Sequence, residues 1–193
     1  MNGEYRVAQY GQWDDYPSGA GLKILSALQN GVDEESLADF KAKVATTKFL
    51  SDEEHDARWR AASADSAGFA TKDVSDLFEK NYPALMRDMG AGIIEYLMES
   101  LPEAELHNSI DFASDSLFCE YAYVIDFDKN TFEVYKGFLA TPLDPSERFF
   151  AWAKEKDHRD EQYFPVKHAE TFDLNNLPSP EDFLKALRDD AES

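Results

Sequence analysis

The sequence predicts an α+β fold, an antiparallel sheet flanked by helices. Three observations carry that prediction. Apolar residues recur at helical spacing across much of 22–97. From Leu117 the period changes to two. The helical and strand-like stretches are grouped, without the regular alternation of a parallel βαβ chain.

The first strand is expected at Tyr5–Tyr10. It leads into Gln9-Tyr10-Gly11-Gln12-Trp13-Asp14-Asp15-Tyr16-Pro17-Ser18-Gly19-Ala20-Gly21, which reads as a strand–loop–helix junction. Pro17 favours an extended entry, and Ser18 is placed to cap the helix that follows. Gly19 and Gly21 would leave the first-turn N–H groups reachable by an anion. Asp14 and Asp15 would oppose an anion there, unless a cation intervened.

Leu22, Ile24, Leu25 and Leu28 form the apolar face of that helix, which stops at Asn30-Gly31. A second helix is expected with Asp33 as cap, Val32 and Leu37 as a hydrophobic staple, and Phe40 and Val44 on its apolar face. The short link predicts a helical hairpin. Ser51 should cap a helix that opens with Asp52-Glu53-Glu54-His55-Asp56. Consecutive helical residues point in different directions, so this run reads as a solvated helix start, not a metal site.

Ala61 to Gly68 reads as a loop or lid. Val74, Leu77 and Phe78 belong to a helix that Pro83 interrupts. Leu85, Met89, Ile93 and Leu97 predict a continuous buried helix, with Gly90-Ala91-Gly92 admitting a close neighbour and Pro102 ending it. Cys119 through Phe127 and Phe132 through Tyr135, separated by Asp128-Lys129-Asn130, predict a hairpin within 117–138. A short helix is expected at Phe149, Phe150 and Trp152, and an edge strand at Tyr163–His168. A terminal helix begins at Ser179-Pro180. The chain suits a single domain over 1–193, and its helices are expected on one face of the sheet.

Charge excludes several functions. Net charge is −20, with 39 acidic against 19 basic side chains. Direct nucleic-acid binding needs basic groups that displace counterions, so it is not expected. Anionic membrane surfaces are disfavoured on the same ground. A hydrophobic content of 43% supports a packed core, which argues against global disorder. One cysteine, Cys119, cannot form an internal disulfide, and the first residues lack a signal-peptide pattern, so a cytoplasmic location is expected.

Candidate chemistry concentrates at the junction. Gln9, Tyr10, Gln12, Trp13, Asp14, Asp15, Tyr16, Ser18 and Gly19 are the candidate ligand-binding residues. Walker, dinucleotide, HExxH, nucleophile-elbow and paired-cysteine patterns are missing from the sequence, and no cofactor or metal is assigned. His55, His107, His158 and His168 read as surface residues, and Cys119 as a buried inert thiol.

The junction resembles an N-terminal signature of uncharacterised proteins from phages, prophages and other bacterial mobile elements, Gln-Tyr-Gly-Gln-Trp-Asp-Gly-Tyr-Pro. Glu120-Tyr121-Ala122-Tyr123-Val124-Ile125-Asp126 and Leu177-Pro178-Ser179 extend the likeness in order. Asp15 departs from it, standing where the pattern has glycine. The resemblance implies a genomic context and no mechanism. The expected function is an acidic binding protein that captures a small molecule or a basic host protein, with counter-defence as its role; the carboxylates are spread along the helices with interspersed lysines, which argues against a nucleic-acid mimic. The alternative is a hydrolase or transferase acting on a nucleotide-like substrate, with Asp14 and Asp15 as acid/base or metal-holding groups and Gln9 and Gln12 as orienting hydrogen-bond partners.

Overall fold

The computed structural model describes residues 3–12, 14–30, 34–63, 71–100, 102–155 and 163–188. Among these the fold is α+β, with seven α-helices, a three-stranded antiparallel sheet and a two-stranded parallel pair. The chain divides into two compact units. One holds Met1–Gly3, Asp14–Val32 and Ile110–Ser193, and the other holds Glu4–Trp13 and Asp33–Ser109.

The first unit is built on β3 (Tyr121–Asp126), β4 (Thr131–Lys136) and β5 (Lys167–Asp173), in the order β3-β4-β5. The alternation of β4 explains its centrality. Phe132 and Val134 point to one face, Glu133 and Tyr135 to the other, and all four are buried. Phe132 stacks on Phe183 of α7 (Pro180–Ala186) at 5.8 Å, and Tyr135 meets Phe149, just before α6 (Phe150–Glu155), at 4.9 Å. Helical segments therefore cover both faces of the sheet, not one as expected from the sequence. The turn between β3 and β4 places Asn130 at φ 60°, and Asp126 Oδ1 accepts the N–H groups of Asp128 and Lys129.

The β4–β5 ladder carries a bulge. Val134 opposes Glu170 while Tyr135 opposes His168, so Ala169 is the extra residue. The last strand begins at Lys167 and not at Tyr163. The N–H groups of Phe164 and Val166 donate instead to Leu139 and Ala113, and Pro165 is buried outside the ladder. Helix α1 (Leu22–Asn30) buries Ile24, Leu25 and Leu28 as expected, and Ser179 caps α7 through the Asp182 N–H.

The second unit contains α2 (Glu34–Ala45), α3 (Asp52–Ala62), α4 (Lys72–Asn81), α5 (Ile93–Glu99) and the parallel pair β1 (Lys48–Phe49) with β2 (Glu105–Leu106). Leu50, Phe78 and Leu85 form a core there, lined by Trp59, Tyr82 and Met86. Ser51 and Glu54 make the expected capping box at α3, and that helix continues through Ala61 and Ala62. Phe40 and Val44 of α2 are buried as expected. The expected cap Asp33, the staple residue Val32, the stretch 64–70 and His158 lie outside the described residues.

Two expectations fail in this unit. Tyr5–Tyr10 is not a strand. Its carbonyls take isolated bonds from separate places, Ala8 from the Ser109 N–H at 2.9 Å and Arg6 from the Thr47 hydroxyl at 2.7 Å, so no ladder forms. The expected helix from Leu85 to Leu97 is broken into two 3₁₀ turns and the short α5. Gly90 stands at φ 46°, ψ −134°, and Met86 is extended, so the apolar periodicity continues while the backbone does not. The neighbour at Gly90 is the irregular segment at Gly11, and a Cβ there would lie 3.6 Å from Gly11 Cα, an ordinary contact and not the close approach of a strand or helix expected from the sequence.

Candidate functional site

The junction residues divide between the units. Gln9, Tyr10 and Gln12 fall in the second and Asp14 through Gly21 in the first, while Trp13 lies outside the described residues. The Gln9 amide donates to the carbonyls of Tyr10 (3.2 Å) and Met86 (3.3 Å), a backbone-bracing role. The Arg87 guanidinium lies 5.4 Å from the centre of the Tyr10 ring. Gln12 is exposed.

On the first unit, the helical path starts at Pro17 as a single π-turn through Gly21, and Tyr16 is its N-cap residue. Ser18 is exposed and caps nothing, contrary to the sequence expectation. Proline at the first position takes the place where a donor would otherwise be unused. The Gly19 and Gly21 N–H groups donate to the Tyr16 carbonyl, and the Ala20 N–H donates to Asp14 O at 2.9 Å. These donors are engaged by the chain itself. A Cβ at Gly19 would collide with the Asp14 carboxylate, so glycine is needed for packing.

The positive φ belongs to Asp14, at 56°, and not to Asp15, where the signature that the junction resembles carries glycine. Asp15 is half-buried. Burial pushes its carboxyl up, and the charge of Asp14 pushes it further. Its carbonyl accepts the Tyr123 hydroxyl at 2.8 Å. Tyr16 is half exposed, edge-on to Tyr121 at 5.9 Å, and its hydroxyl is held protonated by a hydrogen bond to Glu120.

The sequence reading missed a second polar centre, on the β4–β5 face. Arg148 grips Glu133 with two bonds of 2.9 Å, from Nε to Oε2 and from Nη2 to Oε1. Nη2 also donates to Asp126 Oδ2 at 2.6 Å, and the Tyr135 hydroxyl donates to Glu133 Oε2 at 2.5 Å. Burial works against the charge on Glu133. Tyr135 and Arg148 outweigh it and hold the carboxyl below its usual range. Asp126 is lowered in the same way, with Arg148 and the turn N–H groups outweighing burial.

An open cleft of about 390 Å³ lies over this network, with Lys129, Glu147, His168 and Thr171 along it. The bulge at Ala169 lets His168 and Thr171, three apart in a strand, meet with Nε2 2.7 Å from Oγ1. A signal was available for this centre: Glu133 is a lone acid between apolar neighbours in a strand pattern. Its cation, Arg148, lies in an unrelated stretch, and no sequence spacing links the two.

Cys119 lies just before β3, buried, with its thiol pushed up to about 12 by burial and by Asp15 and Asp115. That thiol is inert as a nucleophile at neutral pH. In the second unit His55 meets His107 edge-on at 5.6 Å. Among the described residues no group of three or more His, Cys, Asp or Glu side chains is placed to hold a metal ion. No family model, curated protein or solved structure matches the chain. Among the described residues no helix is long and apolar enough to cross a membrane.

Proposed function

We propose that this protein binds rather than catalyses, and that its target is a basic protein of the host in which a phage or mobile element expresses it. One observation carries the reading: acidic side chains outnumber basic ones 39 to 19, and several of the cations are themselves held on carboxylates of the same chain. Lys43, Lys48, Arg58, Lys72 and Arg148 all lie on carboxylates of the same chain. With 39 acidic and 19 basic side chains, the charge left to face a partner is negative. The β4–β5 cleft supports binding over chemistry, because its ionic groups already satisfy one another.

The test is cross-linking mass spectrometry of the protein expressed in its native host. Recovery of one basic protein in fixed ratio, released by salt, supports the reading. A second reading rests on Asp15, whose raised carboxyl could act as a general acid or base on a nucleotide-like substrate. Incubation with nucleotides followed by mass spectrometry separates the two. Turnover that Asp15→Asn abolishes would overturn binding in favour of a hydrolase or transferase.

A further inference from the structure

Four large apolar side chains of the first unit stand exposed in the described residues: Tyr16, Leu117, Phe118 and Phe138. They come from separate stretches, yet the backbone ties them to one end of the sheet. The Phe138 N–H donates to Ser116 O at 2.7 Å, and the Leu139 N–H to Ser116 Oγ at 3.1 Å. The Gly137 N–H donates to Glu120 O at 2.8 Å, and the Phe118 N–H to Asp115 O at 3.1 Å. Tyr16 reaches the same end through Tyr121 and Glu120.

Phe138 is the informative residue. It holds φ 54°, a conformation that bulky side chains rarely adopt, and it is 50% exposed. The backbone around it is over-determined. Gly137 passes so close to the carbonyls of Cys119 and Ser116 that a Cβ there has no room, and Ser116 is wholly buried. A turn needing only this backbone shape would be better served by Asn or Gly at 138. A core needing the ring would bury it, whereas the ring meets only the edge of Tyr163 at 6.4 Å among the ring contacts described. Strain held by the surrounding structure, on a residue facing water, is the pattern of a functional constraint. Phe118, two residues beyond the Ser116 that holds Phe138, is 69% exposed.

Carboxylates outnumber cations in the stretches that form this end of the sheet. Asp14, Asp15, Asp115 and Glu120 belong to the same stretches, against Lys136 and Lys167 at the ends of β4 and β5. We infer that Phe118 and Phe138 are preformed anchors of a docking surface for a basic protein, one that offers an apolar pocket rimmed by Lys and Arg. Aromatic anchors inside a polar rim are how interfaces concentrate their affinity. The carboxylate excess in these stretches and the net charge of −20 select a cationic surface. The inference rests on the binding reading above and names its surface.

Two synthetic peptides of equal length and charge test it, one an amphipathic Lys/Leu helix and the other Lys/Ser. Phe138→Asn is the decisive variant, because Asn tolerates positive φ and should leave the melting temperature unchanged or raised. The Lys/Leu peptide should bind the wild type more tightly than the Lys/Ser peptide, and Phe138→Asn should weaken it by about tenfold or more, as loss of an anchor does. The Lys/Ser peptide should not respond to the variant. Lys/Leu binding that survives Phe138→Asn together with Phe118→Ser overturns the surface while leaving the binding reading in place. No binding of either peptide overturns both. A dimer in sedimentation that Phe138→Asn dissociates overturns the basic partner, since the surface would then be covered by a second copy.

Discussion

Each unit contains an arginine gripping a glutamate with two bonds, and the two pairs differ in burial. Arg58 donates to Glu105 from Nε at 3.0 Å and from Nη2 at 2.6 Å. Arg148 holds Glu133 with the same fork. The side chains of the first pair are 28% and 33% exposed, and those of the second 18% and 6%. Arg148 also engages Asp126, and Glu133 takes the Tyr135 hydroxyl. The difference teaches that bidentate geometry does not set the contribution of a pair. What matters is whether removing one partner strands the other away from water.

Breaking each pair sharpens that comparison. The largest effect is expected for Arg148→Ala, which leaves, among the described residues, the buried Glu133 with only the exposed Lys129 ammonium as counter-charge, 3.7 Å from its Oε1, and Asp126 with only the turn N–H groups. A loss of about 3–5 kcal/mol is expected in urea unfolding followed by circular dichroism. A loss no greater than that of a surface substitution would show that the cleft hydrates the network well enough to replace the guanidinium. Glu133→Gln comes next. It keeps the shape and removes the charge, and the weakened bonds to Arg148 and Tyr135 should cost about 1.5–3 kcal/mol.

The pH dependence follows from direction alone. Glu133 and Asp126 have folded pKa values below their ordinary ones, so the unfolded state binds more protons as the solution is acidified. Their contribution is complete above the ordinary carboxylate range. It disappears as pH falls through that range and then through the lowered folded values. Unfolding midpoints measured from neutral pH down to the acid range should therefore decline, and Arg148→Ala should flatten the decline. A variant that keeps the wild-type slope would assign the acid sensitivity to other carboxylates.

Arg58→Ala should have the smallest effect. Its pair is partly buried but more open to solvent than the Arg148 pair, so what it contributes should shrink in about 1 M salt, where charges are screened within a few ångströms. Arg148→Ala should keep most of its effect there. Equal salt sensitivity of the two variants would erase the distinction drawn from burial.

Local signals in the sequence translated well wherever a short window holds the whole cause. The cap at Ser51, the cap at Ser179, the apolar face of Leu25 and Leu28, and the Tyr121–Lys136 hairpin depend on neighbours within a turn or across one tight loop. The helix over Leu85–Leu97 failed because periodicity reports which side is buried and not whether the backbone is continuous. Gly90 decided that question. Tyr5–Tyr10 failed because a strand needs a partner, and its carbonyls meet two different segments.

The sequence by itself determined the α+β class, the acidic surface excess and the crowding of polar groups into Gln9–Gly21. Those follow from composition and from interactions a few residues long. Only the tertiary structure decided which polar groups are already engaged. It bonded the first-turn N–H groups of Gly19, Ala20 and Gly21 to Tyr16 and Asp14. It joined Arg148 to Glu133 across 15 positions, and it pinned Phe138 outward through Ser116 and Glu120. The physical reason is the same in each case. A donor or a ring is available to a partner only if the fold leaves it unmatched, and matching is settled by groups that meet in space from distant stretches of chain.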